Sequence, residues 1–266
     1  MKKALFLLPF IFFFSFLVQC GSKKEKNIKL APEVPIVYDQ RLPKNYNPDK
    51  SYPLLIILHG YLSDEKKGPM VWDEGFFYEP NFILLSVRAP FKKKRGGFTW
   101  ITESESLRCN LGLRRKLSAR VSEERVLDVY HIFQEKYKID INSVFLCGFS
   151  QGAEPALFVG LRHPEIFAGV ALMSGKMDIS LFSDMELKGL AGKKFFLVGE
   201  EENPKLNNAL REIRDRLSAL GADVRFYAFP GGHILTGRKC RMMQNFFGLC
   251  EERAPEDDLI YEETGD

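Results

Sequence analysis

Ser150 has the sequence surroundings of an activated nucleophile. It lies in Gly148-x-Ser150-x-Gly152, between the β-branched and aromatic run 144–146 and an apolar-periodic helical segment. A serine at such a strand-to-helix turn takes strained dihedral angles that lift its Oγ above the sheet. Glycines flank it because Cβ atoms would collide with the neighbouring backbone. The pattern predicts a serine hydroxyl exposed for nucleophilic attack.

A serine hydroxyl becomes a good nucleophile only with a base and an acid. An imidazole must take its proton, and a carboxylate must fix the imidazole tautomer and offset the imidazolium charge. Of the four histidines, His233 is favoured as the base because it lies on a glycine-flanked loop after the last apolar run. His59 ends an early apolar run and is interpreted as a supporting hydrogen-bonding residue. His131 and His163 are interpreted as surface or packing residues.

The acid is predicted within three adjacent glutamates, 200–202, which follow the apolar run ending near Gly199. Asn203 is excluded because an uncharged amide cannot offset an imidazolium, and with Pro204 it suits a helix N-cap. The residues alone leave Glu200, Glu201 and Glu202 open, and also an acid elsewhere, such as Asp178.

Apolar runs and helical patterns alternate along the chain from residue 34. Runs typical of strands buried on both faces occur at 54–58, 82–87, 144–146, 167–173, 195–198 and 224–229, with an edge strand predicted at 34–38. Helices are predicted at 122–138, after the serine turn, after Asn203, and up to Phe247. This alternation predicts an α/β fold, with a mostly parallel sheet covered by helices on both faces. Functional residues of such sheets gather at the carboxyl ends of the strands, where the serine, the glutamates and the histidine would meet.

Residues 91–120 show no clear periodicity and are predicted to form a functional loop or lid. Within this stretch, Trp100 follows two glycines and needs apolar contact to be stable. We expect it to line the substrate cleft; the alternative is that it pins the loop to the core.

The amino terminus has the features of an export signal. Lys2 and Lys3 precede an apolar run, 4–18, that is too short to span a bilayer as a mature helix. The run ends in Leu17-Val18-Gln19-Cys20, which resembles the lipobox of bacterial lipoproteins. The resemblance implies that Cys20 carries a lipid and anchors an exported protein to a membrane, at the periplasmic face or the cell surface. A cleaved secretory peptide and an uncleaved membrane anchor are the alternatives.

These features divide the chain into four segments. They are a signal peptide (1–19), a lipidated amino terminus and tether (20–33), a catalytic domain (34–250) and an acidic tail (251–266). Loss of the signal peptide removes Lys2 and Lys3 and lowers the formal charge from +3 to +1, so no nucleic-acid partner is implied. Oligomeric state is not indicated.

The cysteines are spaced unlike the ligands of a zinc site. Cys147 is predicted to be a small buried residue of the strand before Ser150. A bridge between Cys240 and Cys250 is disfavoured because helical spacing would hold them about 15 Å apart. Cys109 would need a long loop in order to pair.

Several short motifs together resemble the carboxylesterase and acyl-protein thioesterase branch of the α/β-hydrolase superfamily, with polyhydroxybutyrate-depolymerase-like and feruloyl-esterase-like relatives. They are Leu58-His59-Gly60, Arg88-Ala89-Pro90, Gly148-Phe149-Ser150-Gln151-Gly152-Ala153, His163-Pro164-Glu165, Phe167-Ala168-Gly169, Ser174-Gly175 and Gly231-Gly232-His233. The resemblance spans roughly 34–248. It implies that Ser150 is the nucleophile and His233 the base, and that the backbone N–H groups of Tyr61 and Gln151 form an oxyanion hole. It also favours Glu202 as the acid, where relatives usually have aspartate.

The expected activity is hydrolysis of carboxylic esters, or of thioesters, through an acyl-enzyme. Such chemistry needs no cofactor and no metal, and the expected substrate is a small-molecule or lipid ester. The alternatives are a peptidase of the same fold and a catalytically silent lipoprotein that keeps the fold.

Overall fold

The computed structural model describes residues 30–103, 111–183 and 186–250. Their strands are β1 (Tyr38–Arg41), β2 (Tyr52–Leu58), β3 (Ile83–Val87), β4 (Phe91–Lys92), β5 (Phe98–Thr99), β6 (Ile139–Phe149), β7 (Gly169–Met173), β8 (Lys194–Glu200) and β9 (Asp223–Phe229). Their α-helices are α1 (Lys67–Asp73), α2 (Leu111–Lys136), α3 (Ala153–Arg162), α4 (Pro204–Ala219) and α5 (Gly237–Phe247). Within these ranges, no helix is long and apolar enough to cross a membrane.

Seven of these strands form one twisted sheet in the order β1-β3-β2-β6-β7-β8-β9. β1 pairs antiparallel to β3 at one edge, and the other neighbours pair in parallel. β4 and β5 form a separate antiparallel hairpin. The predicted mostly parallel α/β sheet is confirmed, and its carboxyl edge collects the ends of β2, β6, β8 and β9.

Side chains alternate across the sheet and produce a core on each face. In β2, Leu54, Ile56 and Leu58 belong to the core that α2, α3 and α4 cover, whereas Leu55 and Ile57 belong to the core that α1 and α5 cover. A strand covered on both faces excludes water from all its side chains, which is why these runs are continuously apolar.

Two helix ends agree with their sequence signals. Asn203 caps α4, with its side chain accepting a hydrogen bond from Leu206 N–H at 3.1 Å. α5 ends at Phe247 and is capped by Gly248, which takes the left-handed conformation with φ 73°. A cap that satisfies free backbone groups stabilises each helix end.

The stretch 91–120 is more regular than the sequence indicates. It contains the β4–β5 hairpin, and α2 begins at Leu111 rather than at 122. The first turns of α2 bury small polar residues, with Ser118 Oγ donating to the Arg114 carbonyl (2.7 Å) and Ser122 Oγ donating to the Ser118 carbonyl (2.9 Å). Hydroxyls satisfied within the helix replace apolar residues on its buried face, so the apolar period is missing.

The edge strand also differs from its prediction, since β1 begins at Tyr38 rather than at 34. The carbonyls of Val34 and Pro35 accept hydrogen bonds from the Arg125 guanidinium, at 2.6 and 2.7 Å. This segment is therefore held by a helix side chain, outside the sheet. The short helix α1 was not predicted.

Several sequence predictions lie outside the described residues. These are the signal peptide 1–19, the lipidated Cys20, most of the 20–33 tether, Cys109 and the acidic tail 251–266.

Candidate active site

The turn after β6 presents Ser150 at the carboxyl edge of the sheet. β6 passes into a single 3₁₀ turn, Ser150–Gly152, and then into α3. Ser150 has φ +54°, a strained value for a residue with a side chain. A Cβ at Gly148 would lie 2.2 Å from the Gly152 carbonyl oxygen, and one at Gly152 would lie 2.2 Å from the Leu58 carbonyl oxygen. Both glycines are therefore required for this turn.

Three side chains form a continuous hydrogen-bonded line across the ends of β6, β8 and β9. His233 Nε2 lies 2.8 Å from Ser150 Oγ, and His233 Nδ1 lies 2.6 Å from Glu200 Oε1. A carboxylate on Nδ1 favours the tautomer that has its proton there and leaves Nε2 free to accept from the serine. The Phe149 ring packs against the imidazole at a centroid distance of 5.1 Å. The predicted pairing of Ser150 with His233 is present.

The carboxylate beside His233 belongs to Glu200, which corrects the choice of Glu202. Glu200 is the last residue of β8 and is 6% exposed, whereas Glu202 is exposed on the following turn. The longer glutamate side chain allows an acid on the strand itself to reach the imidazole. The chain therefore does not have to continue to Glu202 before a carboxylate can reach His233. Asp178 instead accepts from Ser180 N–H and hydroxyl.

Helix α4 fixes the backbone and the carboxylate of Glu200. Asn207 accepts from Glu200 N–H at 3.1 Å and donates to the Glu200 carbonyl at 2.9 Å. The cap residue Asn203 donates its amide to Glu200 Oε2 at 3.1 Å. Burial alone raises the pKa of Glu200, but the hydrogen bonds from His233 and Asn203 outweigh it and hold that pKa below its usual value. The carboxylate is therefore ionised at neutral pH.

A cleft of about 420 Å³ opens over Ser150 and His233. Its lining comes from the loop after β2, the start of α1, the β6 turn and the histidine loop. The lining residues are Gly60, Tyr61, Ser63, Lys67, Phe149, Ser150 and His233.

The loop after β2 is oriented by the buried side chain of His59. Its Nε2 accepts from Ala89 N–H at 3.0 Å, so Nδ1 carries the proton and donates to the Gly60 carbonyl at 2.7 Å. Burial lowers the pKa of His59, which favours this neutral form. In a trans peptide the N–H points opposite to the carbonyl. The Tyr61 N–H is therefore directed away from His59, and Tyr61 lines the cleft.

The other predicted donor, Gln151, is the second residue of the 3₁₀ turn. The first N–H groups of a helical segment have no acceptor within it, so this backbone group is available to a ligand. The Gln151 side chain has a separate role that the sequence did not indicate. Its Oε1 accepts from Thr99 Oγ1 and from Trp100 N–H, both at 3.0 Å.

Trp100 is buried in the core, which corrects the prediction that it lines the cleft. It is 1% exposed, and its indole Nε1 donates to the His59 carbonyl at 2.8 Å. Its ring lies 5.4 Å from the His59 ring, centroid to centroid. Trp100 thus links Gln151 to His59, so that one hydrogen-bonded network holds both backbone segments whose N–H groups were predicted as donors.

Cys147 and Cys240 are thiols that form no disulfide. Cys147 is buried in β6 as predicted, Cys240 is buried in α5, and Cys250 contacts Asn245 Oδ1 at 3.2 Å. Among the residues that the structure describes, no group of three histidine, cysteine or carboxylate side chains could hold a metal ion.

The chain is similar to known esterases and to a thioesterase. No family model matches the chain. The chain is 26% identical over 194 residues to acyl-protein thioesterase 1 of Neurospora crassa. The aligned region covers 69% of this chain and 76% of that protein.

Solved esterase structures share the fold. The carboxylesterase of Bacillus cereus has a TM-score of 0.64 at 19% identity, over 81% of this chain and 95% of that one. The ferulic acid esterase of Anaeromyces mucronatus has a TM-score of 0.56 at 17% identity, over 80% of this chain and 85% of that one. These relatives support ester hydrolysis as the general activity. The chain therefore has the α/β-hydrolase fold and resembles the carboxylesterase and acyl-protein thioesterase branch of that superfamily.

Proposed function

We propose that this protein is a serine hydrolase that cleaves carboxylic esters or thioesters through an acyl-enzyme. The observation that carries the proposal is the hydrogen-bonded line from Ser150 Oγ through His233 to Glu200 at the floor of an open cleft. A catalytically silent protein with this fold would not need a strained serine, an imidazole nitrogen that accepts from it and an ionised carboxylate behind the imidazole.

In the first half of the reaction, His233 Nε2 takes the Ser150 proton as Oγ attacks the substrate carbonyl carbon. Glu200 holds the imidazole by Nδ1 and stabilises the imidazolium that forms. The tetrahedral intermediate then collapses, and the imidazolium gives its proton to the departing alkoxide or thiolate. The acyl group remains on Ser150.

In the second half, a water molecule replaces the leaving group. His233 accepts a proton from this water as its oxygen attacks the acyl carbon, and the second tetrahedral intermediate releases the carboxylic acid. The proton returns to Ser150 Oγ, which restores the resting enzyme.

The negative oxygen of each intermediate is assigned to the backbone N–H groups of Tyr61 and Gln151. Their support is the orientation of the Gly60–Tyr61 peptide by His59 and the free first turn that carries Gln151. Each such donor contributes about 3 to 4 kcal/mol to transition-state stabilisation. Because both are held before substrate arrives, little reorganisation accompanies the reaction.

Hydrolysis of a simple activated ester tests the proposal. The wild-type protein should release 4-nitrophenolate from 4-nitrophenyl butyrate, and Ser150→Ala should lose at least about 10⁴-fold in kcat. The matched thiobutyrate determines whether thioesters share the site. If folded wild-type protein hydrolyses none of these substrates faster than Ser150→Ala does, the proposed activity is wrong.

The membrane anchor at Cys20 is a further part of the proposal. Its support is the lipobox-like sequence before the polar tether. Wild-type protein should fractionate with membranes, and Cys20→Ser should mature abnormally or become soluble. If Cys20→Ser matured and fractionated as the wild type does, the anchor would be rejected.

A further inference from the structure

Lys67 places a positive charge in the cleft that opens over Ser150. Of the residues that line the cleft, it alone is a lysine or arginine, and no aspartate or glutamate lies among them. It is the first residue of α1 and is partly exposed. Low-dielectric walls strengthen the field of a charge that lines a cleft.

The Lys67 ammonium has no strong acceptor in the described part of the chain. Its Nζ contacts Met70 Sδ at 3.5 Å, and a thioether is a weak acceptor. The neighbouring acids are engaged elsewhere. Glu65 is paired with Arg88, whose Nε lies 2.6 Å from Oε2, and Asp64 Oδ1 accepts from Lys66 N–H at 3.0 Å. Lys67 is thus available to a ligand.

The β4–β5 hairpin, which borders the loop after β2, carries further positive charge and is called the rim below. The β4–β5 hairpin lies against the loop after β2, with Leu62 N–H donating to the Phe98 carbonyl and Phe98 N–H donating to the Ser63 carbonyl, both at 3.0 Å. Lys93 Nζ lies 4.9 Å from the Tyr61 ring centroid, although Glu103 neutralises this lysine. The cations that remain exposed on the hairpin are Lys92, Lys94 and Arg95.

We infer that the substrates are esters or thioesters that carry a carboxylate or phosphate within reach of Lys67. The inference rests on the proposed hydrolase function and adds the charge of the substrate to it. The ammonium would donate hydrogen bonds to the anion, and the rim would attract it during approach. The charge is on the substrate molecule itself, so a lipid surface is not required.

Pairs of soluble esters that differ in one charge provide the test. The first pair is the 4-nitrophenyl monoester of adipic acid and its methyl-capped neutral counterpart, which places the charge on the acyl side. The second is 3-carboxyphenyl acetate and 3-carbamoylphenyl acetate, which places it on the leaving group. All are used below the concentration at which they aggregate, and the ratio of kcat/KM for the charged to the neutral member is measured.

In at least one pair, the wild-type ratio should exceed one and should fall as ionic strength rises. Lys67→Met should lower that ratio about tenfold, the usual effect of losing a hydrogen bond between ionised groups, and Lys67→Glu should lower it further. Lys50→Met is the matched control. It removes an exposed lysine just before the amino end of β2, whereas the cleft lies at the carboxyl ends of the strands. It should leave the ratio unchanged. Thermal melting checks that each variant is folded.

The outcomes separate the two levels of the proposal. If neutral esters are hydrolysed but neither ratio changes in Lys67→Met or Lys67→Glu, the charge preference is wrong and the hydrolase function stands. An equal fall in Lys50→Met would show a general charge effect and would also overturn the role of Lys67. If the wild type hydrolyses no ester at all, both proposals fail.

Discussion

Glu200 and Glu202 lie two positions apart and differ in their access to His233. Glu200→Gln keeps the size of the side chain but removes the charge that stabilises the imidazolium, and its amide can favour the wrong tautomer. We expect a fall in kcat of about 10⁴-fold, measured with 4-nitrophenyl butyrate. Glu202→Gln is the matched control and should change kcat by less than about threefold, as surface substitutions usually do. A larger loss in Glu202→Gln than in Glu200→Gln would restore the assignment made from the sequence.

At the scale of single residues, the nucleophile and base could be predicted because their surroundings restrict them. Ser150 is flanked by glycines that its turn requires, and His233 lies on a loop at a strand end. The acid could not be chosen among the glutamates 200–202 because the choice depends on where β8 ends and how far a side chain reaches. The end of the strand was the usable signal, since Glu200 is the first acid at the carboxyl edge.

Trp100 provides a second test at the scale of single residues, because its contacts stabilise the core and do not line the cleft. Trp100→Phe keeps a buried ring but removes the hydrogen bond to the His59 carbonyl. We expect a loss of about 1 to 2 kcal/mol in the free energy of unfolding, measured by urea denaturation. The ratio of kcat/KM for short and long acyl esters should not change. A shift in that ratio without a loss of stability would place Trp100 in the cleft after all.

At the scale of elements, Glu123 connects α2 to the end of α3. It is nearly buried, and its Oε1 accepts from Arg162 Nε at 2.6 Å and contacts His163 Nε2 at 2.8 Å, while Oε2 accepts from Arg120 at 3.1 Å. Burial alone raises the pKa of Glu123, but these partners outweigh it and hold that pKa below its usual value. An ionised Glu123 therefore stabilises the folded state.

Glu123→Gln should lower the free energy of unfolding at pH 7 by about 1 to 3 kcal/mol. A carboxylate with a depressed folded-state pKa contributes fully above its unfolded pKa, about 4.3, and loses the contribution as pH falls through the folded value. The difference from wild type should therefore shrink below about pH 4. Glu165→Gln is the control, because its carboxylate is exposed although it also contacts His163. A difference that persisted unchanged at low pH would show that ionisation of Glu123 is not its cause.

The apolar strands could be predicted from sequence, whereas α1 and the start of α2 could not. A strand buried on both faces leaves a continuous apolar run, as in β2 and β3. The first turns of α2 are buried through serine hydroxyls that bond within the helix, and this leaves no apolar period. α1 has only seven residues, too few for a periodic pattern to be distinguished.

At the scale of the whole molecule, the parallel sheet brings distant residues to one edge. Ser150, Glu200 and His233 come from the ends of different strands and meet because those strands run in the same direction. Alternation of strands and helices is enough to predict this convergence. The walls of the cleft depend on loops whose conformation is set by tertiary contacts, such as the link from Gln151 through Trp100 to His59.

Labelling with a fluorophosphonate tests the central claim most directly, because the reagent phosphonylates an activated serine far faster than an ordinary hydroxyl group. Peptide mass spectrometry of the folded wild-type protein should find one adduct, on the peptide that contains Ser150. The adduct should be absent in Ser150→Ala and strongly reduced in His233→Ala, with thermal melting used to check that each variant is folded. Folded wild-type protein that remained unlabelled, or that was labelled equally after Ser150→Ala, would contradict the assignment of Ser150 as the nucleophile.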